Sequence, residues 1–207
     1  MSVRRIRVKV CGITNEADAR LAVQCGADAI GFIFARSPRQ ITITAARAIA
    51  RRLPPWIARV GVFQDHTLEQ VQDVLDEVGL THAQLHGSEP PEYLRRLNGR
   101  AVKVFHLSDA NLLQEIRRYD CHTVMLDLAK HESGHIMSFI EIARAVAARY
   151  NVILAGGLTP ECVKRVIVQV NPYAVDVARG VEACPGKKDC IKMERFFQQV
   201  REAEHEL

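Results

Sequence analysis

Two side chains that can move protons stand at the ends of apolar, strand-like runs in this chain. Cys11 ends the run that begins at Ile6, and Asp127 ends the run Thr-Val-Met-Leu-Asp. A thiol with a lowered pKa can act as a base or nucleophile, and a carboxyl with a raised pKa can act as an acid. Each residue also has a structural interpretation. Cys11 can be a small buried apolar residue. Asp127 can be the ion-pair partner of Lys9 or Lys103.

Glycine and arginine residues mark a candidate anion site further along the chain. Gly156 and Gly157 come before a helical pattern, and Arg179 and Gly180 follow the next strand-like run. Glycine lets backbone N–H groups approach an anion closely, and a helix N-terminus adds a favourable dipole. These residues predict phosphate binding. The alternative is that the glycines only form tight turns.

Three further sets of polar residues are ambiguous. Arg39, in a Ser-Pro-Arg loop, can hold a carboxylate with its forked guanidinium, or it can be a solvated loop residue. His86 and Asp176 can belong to the site or can make structural hydrogen bonds at strand ends. His131 and His135 are four residues apart, as two metal ligands on a helix would be, but no third ligand is evident. We therefore expect no metal site.

Short β-rich runs alternate with helical patterns along the whole chain. A strand followed by a helix, repeated eight times within 207 residues, predicts parallel strands in a (β/α)₈ TIM barrel of class α/β. We expect residues 1–207 to form a single domain. Thr67 and Gln70 have capping-box spacing, and Pro160 is expected at the first position of a helix. The predicted strands are Ile6–Cys11, Ala29–Phe34, Ala58–Phe63, His82–Leu85, Ala101–Phe105, Thr123–Asp127, Val152–Ala155 and Ala174–Val177. The predicted helices are Glu16–Gln24, Ala45–Leu53, Leu68–Val78, Pro91–Leu97, Leu112–Arg118, Phe139–Arg149, Glu161–Val170 and Ile191–Glu204.

The barrel fixes where the chemistry should lie. Active sites of this fold lie at the C-terminal ends of the strands, and phosphate often binds at the loops after strands seven and eight. Cys11 and Asp127 should therefore face each other across the mouth of the barrel as a base and an acid. Lys9 and Lys103 lie within strands, and we expect them inside the barrel, paired with Asp176.

Composition and charge exclude several classes of protein. Hydrophobic residues make up 48% and charged residues 25% of the chain, which is typical of a globular protein. A net charge of +4 spread along the chain favours a small anionic ligand over nucleic acid. We find no membrane-spanning stretch and no secretory signal. The six cysteines include no Cys-x-x-Cys pair, so we expect reduced thiols in the cytoplasm.

The motifs together resemble the phosphoribosylanthranilate isomerase family of tryptophan biosynthesis. The resemblance extends over almost the whole chain, and the order of the motifs makes it specific. The matching runs are Val8-Lys-Val-Cys-Gly-Ile-Thr14, Gly26-Ala-Asp-Ala-Ile-Gly-Phe32, Ser37-Pro-Arg39, Val60-Gly-Val-Phe63, Gln84-Leu-His-Gly87, Leu126-Asp127, Leu154-Ala-Gly-Gly-Leu-Thr-Pro160, Val175-Asp-Val177, Gly180-Val-Glu182 and Pro185-Gly-Lys-Lys-Asp189.

The resemblance implies an Amadori rearrangement without a cofactor or metal. Asp127 resembles the general acid that protonates the ribose ring oxygen, and Cys11 resembles the base that removes the proton from C2 of the sugar. Arg39 resembles the residue that holds the anthranilate carboxylate. The resemblance implies a phosphate site at the backbone of Gly156, Gly157 and Gly180, and Arg179 can add a positive charge there.

Two segments depart from the family pattern. The glycine-rich loop after the acid reads Ser133-Gly-His-Ile-Met-Ser-Phe139, and Ala178 and Arg179 replace a pair of serines. Two alternatives therefore stay open: a barrel that acts on another phosphosugar amine, and a barrel that binds a phosphoanion without catalysis. In each case the partner is a small phosphorylated molecule and not a nucleic acid or a membrane. We expect a monomer or a homodimer.

Overall fold

Eight parallel strands close into a barrel in chain order, and each is followed by a helix. The computed structural model describes residues 5–106, 111–127 and 136–207. β1 pairs with both β2 and β8, so the eight described strands leave no open edge. The predicted (β/α)₈ fold is confirmed, and the single domain over residues 1–207 stays a prediction. The barrel strands are β1 (Arg7–Val10), β2 (Ala29–Ile33), β3 (Ala58–Phe63), β4 (His82–Leu85), β5 (Ala101–His106), β6 (Thr123–Asp127), β7 (Asn151–Ala155) and β8 (Ala174–Val177). The helices are α1 (Glu16–Cys25), α2 (Ile43–Ala50), α3 (Leu68–Val78), α4 (Pro91–Arg96), α5 (Leu112–Arg117), α6 (Ile136–Ala147), α7 (Val163–Val170) and α8 (Cys190–Glu204).

Several helices begin at side chains that cap their N-terminal amides. Asn15 caps α1 through its side-chain oxygen, and Thr67 and Gln70 form the expected capping box of α3. The predicted starts of α2, α6 and α7 are wrong. α2 begins at Ile43, before the predicted Ala45, and α6 begins at Ile136, before the predicted Phe139. α7 begins at Val163, because the residues from Pro160 onward first form a tighter turn. Among the described helices, none combines the length and apolar character needed to cross a membrane.

A short antiparallel hairpin after β8 was not predicted. Its strands are β9 (Glu182–Cys184) and β10 (Lys187–Lys188), and a single 3₁₀ turn separates it from the barrel. The hairpin is fixed to the loop after β1, because the Thr14 hydroxyl donates to the carbonyl of Gly186 at 2.5 Å. It thereby brings its own charged side chains over the C-terminal end of the barrel.

Alternation along each strand separates the helix-facing core from the barrel interior. On β1, Val8 and Val10 pack into the large apolar core, whereas Lys9 lies on the opposite side and pairs with Asp176 of β8. The Lys9 Nζ–Asp176 Oδ1 distance is 2.9 Å. The predicted interior position of Lys9 and its pairing are therefore confirmed.

For Lys103, the predicted position inside the barrel and the predicted pairing with Asp176 are wrong. Lys103 lies on the side of β5 that carries Phe105, which packs in the helix-facing core. Its ammonium donates to the Glu89 carboxylate at 2.9 Å and to the Gly87 carbonyl. Alternation therefore directs Lys103 away from Asp176 and toward the loop after β4.

Removing Lys103 should destabilise the fold strongly. The Lys103 and Glu89 side chains are only 5% and 1% exposed, so Lys103→Met leaves a buried carboxylate without its cation. We expect a loss of about 3–5 kcal/mol in the free energy of unfolding, measured by urea denaturation. Glu89→Gln in the same chain should restore part of it. Arg95→Met, which removes an exposed pair with Glu92, is the control and should cost less than about 1 kcal/mol. Equal small losses in both variants would contradict a stabilising role for the buried pair.

Candidate active site

A cavity of about 330 Å³ lies at the C-terminal end of the barrel. It is lined by all the predicted site residues, Cys11, Arg39, Asp127, Gly156, Gly157, Arg179 and Gly180, and also by Gln84, His86 and Asp176. A larger cleft of about 670 Å³ opens outside the barrel beside α2 and α3 and contains none of these residues. Convergence of polar groups, and not size, therefore identifies the candidate site.

Strand alternation explains why Cys11 reaches this cavity. Cys11 extends β1 by one residue, because its amide donates to the carbonyl of Val177 on β8 at 2.8 Å. It therefore lies on the same side of the strand as Lys9, toward the barrel interior. The neighbouring strand makes room for the thiol, since a Cβ on Gly31 would lie 2.8 Å from the Cys11 sulfur.

Burial and the neighbouring Lys9 change the pKa of the Cys11 thiol in opposite directions. Burial, the largest effect, raises the pKa of the Cys11 thiol, and the Lys9 ammonium opposes that rise. Burial also opposes the charge on Lys9, but Asp176 and Cys11 outweigh it, so the pKa of Lys9 is raised. Desolvation therefore outweighs the nearby cation, and the pKa of the Cys11 thiol lies above its ordinary value.

Asp127 ends β6 beside a histidine. Its Oδ2 lies 3.3 Å from His86 Nε2, and the Asp127 side chain is 11% exposed. The ion pair with Lys9 or Lys103 that was considered for it does not form, because these lysines hold Asp176 and Glu89. Asp127 thus faces the cavity with an imidazole as its neighbour.

Arg39 is held by a carboxylate of the protein itself. Its Nε donates to both oxygens of Glu182 at 2.8 and 3.0 Å, and one terminal nitrogen donates at 2.6 Å. The side chain is 16% exposed, so the interpretation as a solvated loop arginine is wrong. Gly12 gives the arginine space, since its φ is +73° and a Cβ there would lie 2.7 Å from Arg39 Cδ.

Lys188 of the hairpin is the second cation bound to Glu182. Its ammonium donates to Glu182 at 3.0 Å and to the carbonyl of Cys11 at 2.7 Å. Burial would raise the pKa of Glu182, but the bonds from Arg39 and Lys188 outweigh it, so the pKa is lowered. Burial also lowers the pKa of Lys188 in spite of Glu182. Glu182 therefore stays ionised and connects Arg39 to the backbone that carries the thiol.

The loops that contain Gly156, Gly157 and Gly180 also line the cavity. Gly156 and Gly157 have φ values of 85° and 67°, which glycine adopts at little cost. Gly180 is required for packing, since a Cβ there would lie 1.9 Å from the Leu158 carbonyl oxygen. α7 begins only at Val163, so the helix dipole is not at these glycines and that part of the prediction is wrong. The candidate anion site consists of loop backbone with Arg179 beside it.

Some polar residues at this end of the barrel were not assigned from the sequence. Glu182 and Lys188 lie in a run that carries the family resemblance. The hairpin that brings them to Arg39 was not predicted, although the dipeptide Pro185-Gly186 marks its turn. His106 was missed because β5 was expected to end one residue earlier. His131, His135 and the loop segment 133–135 lie outside the described residues.

The chain is similar to known proteins over most of its length. Residues 8–199 match the family described as N-(5'phosphoribosyl)anthranilate (PRA) isomerase. A Pelobacter propionicus protein named N-(5'-phosphoribosyl)anthranilate isomerase is 40% identical over 206 residues, which cover 97% of this chain and 98% of that protein. The crystal structure of phosphoribosyl anthranilate isomerase from Thermotoga maritima matches with a TM-score of 0.88 and 39% identity, over 95% of this chain and 99% of that chain. A crystal structure of phosphoribosyl anthranilate isomerase in complex with reduced 1-(o-carboxyphenylamino)-1-deoxyribulose 5-phosphate matches with a TM-score of 0.86 and 38% identity, over 95% of this chain and 99% of that chain.

The protonation of Cys11 can be tested directly. Because burial raises its pKa, the Cys11 thiolate should form above the ordinary value of 9.0. The measurement is the ultraviolet absorbance of thiolate against pH, taken as the difference between the native protein and Cys11→Ala. Denaturation removes the burial, so the same difference in the unfolded chain should titrate at the ordinary value. A folded-state midpoint below that of the unfolded chain would show that the nearby cations outweigh desolvation.

Proposed function

Because the chain belongs to the N-(5'-phosphoribosyl)anthranilate isomerase family, it is an isomerase of tryptophan biosynthesis, and we propose that Cys11 and Asp127 perform its proton transfers. One observation carries the proposal: a single cavity is lined by this thiol, this carboxyl, an arginine and two glycine loops. A relative solved with a phosphorylated carboxyphenylamino ribulose supports the same substrate class for this chain.

The cavity suggests how the substrate lies. The phosphate binds to backbone N–H groups of the loops at Gly156, Gly157 and Gly180, with Arg179 adding a positive charge. The anthranilate carboxylate lies toward Arg39, which its bonds to Glu182 hold in one orientation. The sugar is then between the thiol and the carboxyl, where both can reach it.

Asp127 starts the reaction as a general acid. Its carboxyl donates a proton to the ribose ring oxygen while the bond between C1 and that oxygen breaks. The lone pair of the anthranilate nitrogen forms a double bond to C1, which gives an open-chain, protonated Schiff base. His86 at 3.3 Å faces the carboxyl from which this proton leaves.

Cys11 acts next as the base. Its thiolate removes the proton from C2, the C2 electrons form a double bond to C1, and the nitrogen becomes neutral in an enolamine. The enolamine then takes a proton at C1 and loses the hydroxyl proton at C2, which gives the ketose. The positive Schiff base and the Lys9 ammonium both favour the thiolate at the moment it is needed. A thiol whose pKa is raised is also a stronger base once ionised.

We propose further that residues 1–207 work as one domain in the cytoplasm, without a cofactor, as a monomer or a homodimer. All six cysteines lie in the described part of the chain and are unpaired thiols, which supports a reducing compartment. Action on another phosphosugar amine and binding without catalysis are the outcomes that the following experiments distinguish from this proposal.

Replacing either proton-transfer residue should stop turnover and spare binding. For Cys11→Ala and Asp127→Asn we expect kcat to fall by about 10²–10⁴-fold, the usual worth of general acid–base catalysis. The assay follows the loss of phosphoribosylanthranilate fluorescence, with the substrate generated in situ. Affinity for a reduced product analogue should change only a few-fold. Cys25→Ala, on the outer helix α1, is the control. Full activity in either variant would remove that residue from the mechanism, and tight binding without turnover in the native protein would favour the binding-only barrel.

Glu182→Gln should weaken substrate binding through Arg39. The neutral glutamine amide is a weaker acceptor for the Arg39 guanidinium than the Glu182 carboxylate. We therefore expect KM to rise about tenfold, with a smaller change in kcat. The combination with Arg39→Met distinguishes positioning from general damage. If Glu182 acts by holding Arg39, the second substitution should have little further effect on KM when Glu182 is already changed. Additive losses would show that the two residues act separately.

A further inference from the structure

Three potential metal ligands meet at the mouth of the barrel on consecutive strands. They are His86 just after β4, His106 at the end of β5 and Asp127 at the end of β6. One ligand atom from each lies within 4.8 Å of the other two. His106 and Asp127 are direct partners in the register of β5 and β6, and the His86 and His106 rings are 5.5 Å apart.

The spacing suits a small divalent transition metal. Zinc binds histidine nitrogen and carboxylate oxygen at about 2.0–2.2 Å, and two ligands of a tetrahedral ion are then about 3.3–3.5 Å apart. The His86 Nε2–Asp127 Oδ2 distance is already 3.3 Å. His106 provides the third ligand atom, which lies within 4.8 Å of the other two.

The chemistry of the donor set also suits this class of ion. Two imidazoles and one carboxylate favour Zn²⁺ or Co²⁺ over Mg²⁺ and Ca²⁺, which prefer oxygen ligands. All three side chains are half-buried, and two of them line the cavity, so an ion has access from the solvent side. Three protein ligands leave a coordination position open for water.

We propose that His86, His106 and Asp127 form a binding site for Zn²⁺ or Co²⁺ that inhibits the isomerase. The binding of the ion is independent of the reaction. The inhibition rests on the proposed function, because a carboxylate bound to the metal cannot carry the proton that the ring oxygen needs. The ion would also lie where the sugar is expected, so inhibition should be competitive with the substrate.

Cobalt provides a test of the site that does not depend on activity. The untagged protein should bind one Co²⁺ per chain, with visible d–d bands of nitrogen and oxygen coordination that Zn²⁺ abolishes. Exposed Cys184 and Cys190 are replaced by serine in this background, because thiolates also bind these metals. Bands of cobalt–thiolate charge transfer, or the lack of stoichiometric binding, would overturn the proposal.

His106→Gln separates the metal site from catalysis, because His106 has no part in the proposed proton transfers. We expect its affinity for Co²⁺ to fall at least about tenfold, since even the loss of groups that only support ligands costs ~10–100-fold. Turnover in the presence of a chelator should stay near that of the native protein, and the Zn²⁺ concentration needed for inhibition should rise by at least about the same factor. His205→Gln, at the exposed end of α8, is the matched control and should keep both.

The outcomes distinguish the site from the reaction. Unchanged Co²⁺ affinity in His106→Gln would overturn the metal site whatever the activity. Cobalt binding that requires His106 in a protein without isomerase activity would support the site and contradict the proposed function. Cobalt binding without competitive inhibition by Zn²⁺ would overturn the inhibitory role.

Discussion

The charged side chains buried at one end of the barrel must form ion pairs, and these pairs determine how the elements of the candidate site are held together. An isolated buried charge is too costly to persist, so each must be paired or hydrogen-bonded. Lys9 meets Asp176 inside the barrel, and Glu182 is shared between Arg39 and Lys188. These pairs tie β1, β8, the loop after β2 and the hairpin to one another. The residues proposed to react are therefore positioned both by the barrel backbone and by these ion pairs.

The hairpin after β8 connects several parts of the proposed substrate site. Its anchor at Thr14 and the Lys188 bond to the Cys11 carbonyl connect it to the end of β1. Through Glu182 the same hairpin holds Arg39. This hairpin, an addition to the (β/α)₈ barrel, thus orients Arg39, the proposed carboxylate-binding residue, and holds the end of β1, where the proposed base Cys11 lies.

Cys11 and Asp127, the proposed proton-transfer residues, have different surroundings. Cys11 is buried among charges of both signs, so its pKa reflects a balance in which desolvation is largest. Asp127 stands at the rim beside His86 and is in register with His106. The histidines that surround this carboxyl also make it a candidate metal ligand. The same carboxyl thus belongs both to the proposed proton transfer and to the proposed metal site.

The sequence by itself determined the architecture and the members of the site. Repeated strand–helix patterns predicted the barrel because strand and helix periodicity are local properties of the chain. The rule that barrel sites lie at strand C-termini then identified the residues that line the cavity, and the motif order identified the family. Only the tertiary structure decided the partners. Lys103 faced Glu89 and not Asp176, Arg39 was held by Glu182, and burial raised the pKa of Cys11. Pairing across strands and desolvation depend on side chains that are far apart in the chain. Local sequence patterns therefore cannot predict these ion pairs or pKa shifts.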